Sequence, residues 1–159
     1  MKQKLPRVIL VVAASCAAVM PFASSGAAAV VTTLTFKGPE AGATFAFIDN
    51  APKTGPGVIS AGDGFVIEAR LEAKGRTIGS LQASCVTADT TSHVAKAEFI
   101  CTAIYKLAGQ GTLTAQGINR GSKTNGAITG GTGAYAGAHG TFTSKGVNGG
   151  SMTTVTLLE

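Results

Sequence analysis

The chain of 159 residues holds few side chains able to do chemistry: two histidines, three cysteines, eight carboxylates and two tyrosines. Their spacing excludes most kinds of site. His93 and His139 are far apart in sequence, and Cys85 and Cys101 lack the C-x-x-C spacing of a zinc ligand set, so no metal site is expected. There is no G-x-S-x-G elbow of the serine hydrolases. The stretch ITGGTGAYAGAHG, from Ile128 to Gly140, places five glycines in thirteen residues and invites a phosphate-loop reading. Yet Gly131, Gly133 and Gly137 follow G-x-G-x-x-x-G, not the dinucleotide G-x-G-x-x-G, and the residues after them, HGTFTSKG, alternate like a strand. Without a following helix a pyrophosphate finds no dipole, and no Gly-Lys-Ser/Thr completes a P-loop. No cofactor is implied.

Among the carboxylates, Glu68 and Glu72 fall on the polar face of an alternating segment, and Asp63 and Asp89 fall at turns, so these four are expected to be solvated. Glu40 and Asp49 flank the apolar stretch AGATFAFI, which makes Glu40 a positional candidate for acid or base work. Tyr105 is the other candidate: its hydroxyl can donate a hydrogen bond to a polarised oxygen, or can be a satisfied tyrosine of the core or rim.

The two ends of the compositional pattern bound the rest. Lys2, Lys4 and Arg7 precede an apolar run from Val8 to Met20 and the small-residue run ASSGAAA, the pattern of an export signal cleaved after Ala28 or Ala29. The apolar run is shorter than the roughly 20 residues that span a bilayer. A lipoprotein reading, with Cys16 as the anchor, is opposed by the apolar AAVMPFA that follows it. The expected arrangement is a signal peptide over 1–29 and one domain over 30–159, secreted and without an integral membrane segment. With the leader removed, ten basic residues face eight acidic ones, and the remaining +2 is too small and scattered for a nucleic-acid footprint.

The domain must be held by small and β-branched residues, since tryptophan is absent and aromatics are few. In GFVIEARLEA, Phe65, Ile67, Ala69 and Leu71 alternate with Val66, Glu68, Arg70 and Glu72, the period of a half-buried strand. Further strands are expected over 31–36, 44–49, 77–87, 95–107, 112–118, 125–129, 137–145 and 151–158, separated by the turn signals PKTGPG, AGDG, AKG, AGQG, NRGSKTNG and VNGG. Such a series reads as an antiparallel meander closing into a barrel or folding into a sandwich. A small barrel interior is either filled by side chains or holds one small ligand, and the residues leave both open.

Cys85 and Cys101 fall in consecutive strands joined by a turn near His93, and a hairpin centred there sets them opposite one another, within reach of a disulfide. Export favours that bridge. The alternative, a free nucleophile, needs a base, and neither histidine is placed to serve.

AGDGFVIEARL from Ala61, SCVTA from Ser84, GTLTAQG from Gly111 and ITGGTGAYAGAHGTFTS from Ile128 resemble, in order and spacing, the allene oxide cyclase barrel superfamily, to which the plant dirigent proteins are related. The resemblance runs from about Thr33 to the C-terminus. It implies an all-β fold, a single closed antiparallel eight-stranded barrel with an apolar cavity, and assembly into homodimers or homotrimers. It also implies an apolar small molecule as partner, whose cyclisation, isomerisation or radical coupling the cavity steers. The residues then expected to line the cavity are Phe65, Ile67, Leu71, Leu81, Phe99, Tyr105 and Phe142. The chain departs from the cyclases where their pocket asparagine falls on Ala69 and where their acidic residue near the first strands has no counterpart, so the allene oxide substrate itself is not supported. A non-enzymatic extracellular module that uses the barrel as a scaffold is the alternative.

Overall fold

In a computed structural model the described residues are 31–50, 58–89 and 96–158. The expected leader with Cys16, the PKTGPG turn and the turn around His93 lie outside them. Nine strands follow in order: β1 Val31–Pro39, β2 Thr44–Ile48, β3 Gly64–Ala73, β4 Arg76–Thr87, β5 Glu98–Leu107, β6 Gly111–Arg120, β7 Lys123–Gly133, β8 His139–Val147 and β9 Gly150–Leu158. Every neighbouring pair is antiparallel, in the order β1-β9-β8-β7-β6-β5-β4-β3-β2.

Both β1 and β2 reach β3. Lys37 pairs with Glu72, while Thr44 to Ile48 pair with Glu68 to Gly64, in the same direction. The two segments thus form one bent strand, interrupted by a turn in which Ala43 N–H donates to Glu40 O at 3.0 Å and Glu40 N–H to Gly149 O at 3.0 Å. Nine segments make eight staves, and the sheet closes as the expected eight-stranded barrel. Closure pairs the long edges that an open sheet would expose.

Alternation then sorts the side chains. In β5, Phe99, Cys101, Ala103, Tyr105 and Leu107 are buried and the residues between them face outward. The main core joins Phe36, Leu71, Tyr105, Leu107, Leu113, Ile128, Phe142 and Val155 with smaller neighbours. A second cluster holds Ile59, Ala97 and Phe99 against Cys85 and Cys101. Those cysteines sit directly opposite on β4 and β5 and form a disulfide.

Asp63 is a correction to the sequence reading: it is 1% exposed, not solvated. Its carboxylate accepts from Asn50 N–H at 2.8 Å, Ser60 N–H at 2.7 Å and the Ser60 hydroxyl at 3.1 Å. It thereby ties the end of β2 to the start of β3. A short turn looked solvated because composition does not reveal that its amides need an internal acceptor.

The glycine-rich stretch serves the sheet. Thr129 is the unpaired residue of a bulge, since Thr114 pairs with Gly130 but Ala115 with Ile128. Gly133 and Gly137 adopt φ of 63° and 77° around the β7–β8 turn. The turn's amides donate internally, Ala134 to Gln110, Tyr135 to Thr132, Ala136 to Gly133 and Ala138 to Tyr135, so they are spent and cannot cradle a phosphate. Tyr135 leans on the core from this end, and its hydroxyl donates to Gln110 Oε1 at 2.5 Å.

Two outcomes are expected. Protein unfolded without reductant should show no reactive thiol from Cys85 or Cys101, and reduction, which frees a loop of 16 residues, should lower denaturant stability by about 3 kcal/mol. The Ser60 amide, opposed by burial and aided by the Asn50 amide and the Ser60 hydroxyl, holds the Asp63 carboxyl below its ordinary 3.8. A depressed folded pKa stabilises the fold above the unfolded value and is lost as pH falls through the folded one. Acid melts should therefore show a shallower loss of Tm below about pH 4 in Asp63→Asn than in the wild type.

Candidate functional site

The inner face divides into a dry part and an accessible part. Leu71, Leu113, Ala115 and Val155 are at most 1% exposed. Inward residues nearer the opposite end, including Ile67, Ala83, Asn119, Thr124 and Ser144, are only partly buried. Phe45 and Phe47, on the inner face of β2 where they pair with Ile67 and Phe65, are 62% and 44% exposed. Phe45 and Phe47 thus form an exposed aromatic edge on one side, where Phe65 stacks on Phe45 at 5.4 Å and meets the buried Phe99 edge-on at 5.0 Å.

The opposite wall is polar. Asn119, Thr124, Ser144 and Thr153 occupy consecutive opposed positions across β6, β7, β8 and β9. Each shares its face with core residues two or four positions away, Ala115, Ile128, Phe142 and Val155, so the row points inward. Asn119 Nδ2 donates to Thr124 Oγ1 at 2.9 Å, and the Thr153 hydroxyl donates to Ser144 Oγ at 3.0 Å. Tyr105 joins this row through a hydrogen bond with Thr153. Burial pushes the Tyr105 hydroxyl up to about 12, partly offset by that bond. At neutral pH it is a neutral donor, never a base. Within the described strands the inner face carries no Lys, Arg, His, Asp or Glu; the strand residues of those types face outward or lie at turns.

The sequence candidates are distributed as follows. Leu71, Leu81, Tyr105 and Phe142 meet in or against the main core, with Phe36 and Phe142 at 5.4 and 6.4 Å from the Tyr105 ring. Phe65 and Phe99 meet beside the disulfide. Ile67 faces inward between the two groups. Glu40 is exposed on the β1–β2 turn, and no contact joins it to Tyr105. Asn119 and Thr124 are hidden in the sequence because NRGSKTNG carries turn signals along its whole length. The hairpin is only Gly121 and Ser122, so Asn119 and Thr124 are strand residues in register. The available signal was parity: Thr124 and Ser144 share the phase of Ile128 and Phe142.

Space for Phe142 comes from glycine. A Cβ on Gly126 would lie 2.7 Å from the Phe142 ring, and one on Gly117 2.9 Å from it. The ring thus lies over two bare stretches of backbone, beneath Ser144 on the same strand.

No protein-family model matches the chain, and no curated protein matches it. Solved structures do. A pyocyanin demethylase is similar with a TM-score of 0.65 and 22% identity, covering 79% of this chain and 99% of that one. A pterocarpan synthase dirigent protein gives 0.60 and 15%, covering 82% and 86%. A Diels–Alderase from Streptomyces koyangensis gives 0.56 and 16%, covering 86% and 72%. The fold is that of the dirigent and cyclase barrels.

Gly126→Ala is expected to destabilise the barrel by about 1–3 kcal/mol through overpacking against Phe142 and the facing strand, read as a lowered midpoint in denaturant unfolding.

Proposed function

We propose that the protein is an exported barrel that binds an apolar small molecule in its accessible interior and steers that molecule's cyclisation or isomerisation. The observation that carries this reading is the hydrogen-bonded row from Asn119 to Thr153, set on a wall otherwise built from apolar and small residues. Export is supported by the Cys85–Cys101 bridge, a bond that persists in oxidising compartments. Proteins of the same shape bear names tied to small-molecule chemistry: a pyocyanin demethylase, a pterocarpan synthase and a Diels–Alderase.

The chemistry follows from what this wall offers. It holds no charged group, so it works by shape and by neutral hydrogen bonds. An apolar wall fixes a flexible molecule in one folded form, which removes ordering entropy from the barrier. Donors on the polar wall then favour the conformer, and the transition state, in which an oxygen gains electron density. Tyr105 contributes from behind, through its hydrogen bond with Thr153, whose hydroxyl meets Ser144. It is a positioning residue.

A second reading, a scaffold whose outer face does the work, is favoured by a different observation. Val66, Val86, Ile100, Ile104 and Ile118, on the outer face of β3 to β6, are 37–60% exposed, and Val86, Ile100 and Ile118 are direct cross-strand neighbours. A groove of about 420 Å³ crosses this face, lined by Val66, Ser84, Thr102 and Ile104 among others. On this reading its occupant is a second copy of the chain. Charged pairs, Arg70 with Glu72 and Arg120 with Glu98, border the apolar strip as an interface rim does.

Solvent extraction and mass spectrometry of protein purified from its secreting cells separate the two readings. The binding reading expects a co-purified apolar compound that is converted on incubation. It also expects Tyr105→Phe to keep the compound while slowing conversion about tenfold, roughly the worth of one strengthened hydrogen bond. A rate unchanged in Tyr105→Phe removes its role, and an empty protein that dimerises leaves the scaffold.

A further inference from the structure

Resting on the binding reading above, we propose that Thr124 and Ser144 form a donor pair for one uncharged ligand oxygen, such as a ketone or ether, and that the same chamber rejects anions. Each hydroxyl already accepts a hydrogen bond, Thr124 from Asn119 at 2.9 Å and Ser144 from Thr153 at 3.0 Å. A hydroxyl whose lone pair is occupied has its own proton left to give. No described residue takes either proton. The two residues are directly opposed on β7 and β8, which sets their Cβ atoms about 5 Å apart. Both lie on the inner face and are only partly buried. Two protons thus enter one space from one wall, where a single acceptor oxygen reaches both.

The inner face around the pair explains the preference for a neutral acceptor. A carboxylate or sulfonate would lose its hydration against Ile67, Ala69 and Ala83, with no strand residue of the inner face to supply a positive charge. The described carboxylate nearest in phase, Asp63 just before β3, is already engaged by Asn50 and Ser60 and adds only negative potential. Hydroxyl donors stabilise partial charge well and a full negative charge poorly in such a setting. The pair therefore reads a polarised but uncharged oxygen.

Three probes of one tricyclic skeleton test this: fluorene, fluorenone and fluorenone-2-carboxylate, titrated against the exported protein, Thr124→Val, Ser144→Ala and the double variant. Fluorenone is expected to bind about tenfold more tightly than fluorene, from two net hydrogen bonds, and about 100-fold more tightly than the carboxylate, from its uncompensated desolvation. The double variant is expected to bring fluorenone down to fluorene while fluorene binding stays unchanged, and Ser144→Thr, which keeps the hydroxyl, is expected to retain the preference. Equal binding of the carboxylate, or variants that weaken fluorene and fluorenone alike, would overturn the inference and leave the binding reading standing. Failure of all three probes to bind overturns the inference, and the co-purified compound then decides the binding reading on its own.

Discussion

The chain meets itself where Lys37 of β1 pairs with Glu72 of β3, and β2 continues that line along the rest of β3. This closure decides what every other residue does. An open sheet of these strands would have two faces to cover and two long edges to protect, with too few large side chains for the task. Closing it turns one face into a shared interior, where even alanines and glycines from eight staves meet. The bend between β1 and β2 is what allows closure: one stave serves β9 with its first half and β3 with its second.

Closure also explains why a polar row can persist inside. Serine, threonine and asparagine on the inner wall would be costly alone, but as direct cross-strand neighbours they satisfy one another in pairs. Tyr105 reaches the same row from β5 across the interior, so β5 and β9, on opposite sides of the barrel, meet through its hydrogen bond with Thr153. The dry core beneath, with Phe142 seated on Gly117 and Gly126, holds these groups in place. Packing at one end thus holds rigid the polar row at the other.

Much was legible in the residues. Alternation in 64–73, with glycine-rich turns at even spacing, marked the strands, and the opposed positions of Cys85 and Cys101 followed from the hairpin between them. Two things were not legible. Asp63 looked like a solvated turn residue, because its engagement depends on Asn50 arriving from the end of β2 and on the turn folding the Ser60 amide and hydroxyl onto its carboxylate. Asn119 and Thr124 looked like parts of a loop, because Asn, Gly, Ser and Lys carry the same turn signal whether a hairpin is two residues or eight.

The all-β fold, the strand phases and the absence of phosphate-loop and zinc spacing can be read from the residues alone, since these are local matters of period and composition. Which neutral hydroxyls gather on one wall, and which phenylalanines stand at its open edge, emerges only once the strands pair. Register between strands sets those neighbours, and register depends on hairpin length and on where the barrel closes, neither of which a local pattern encodes.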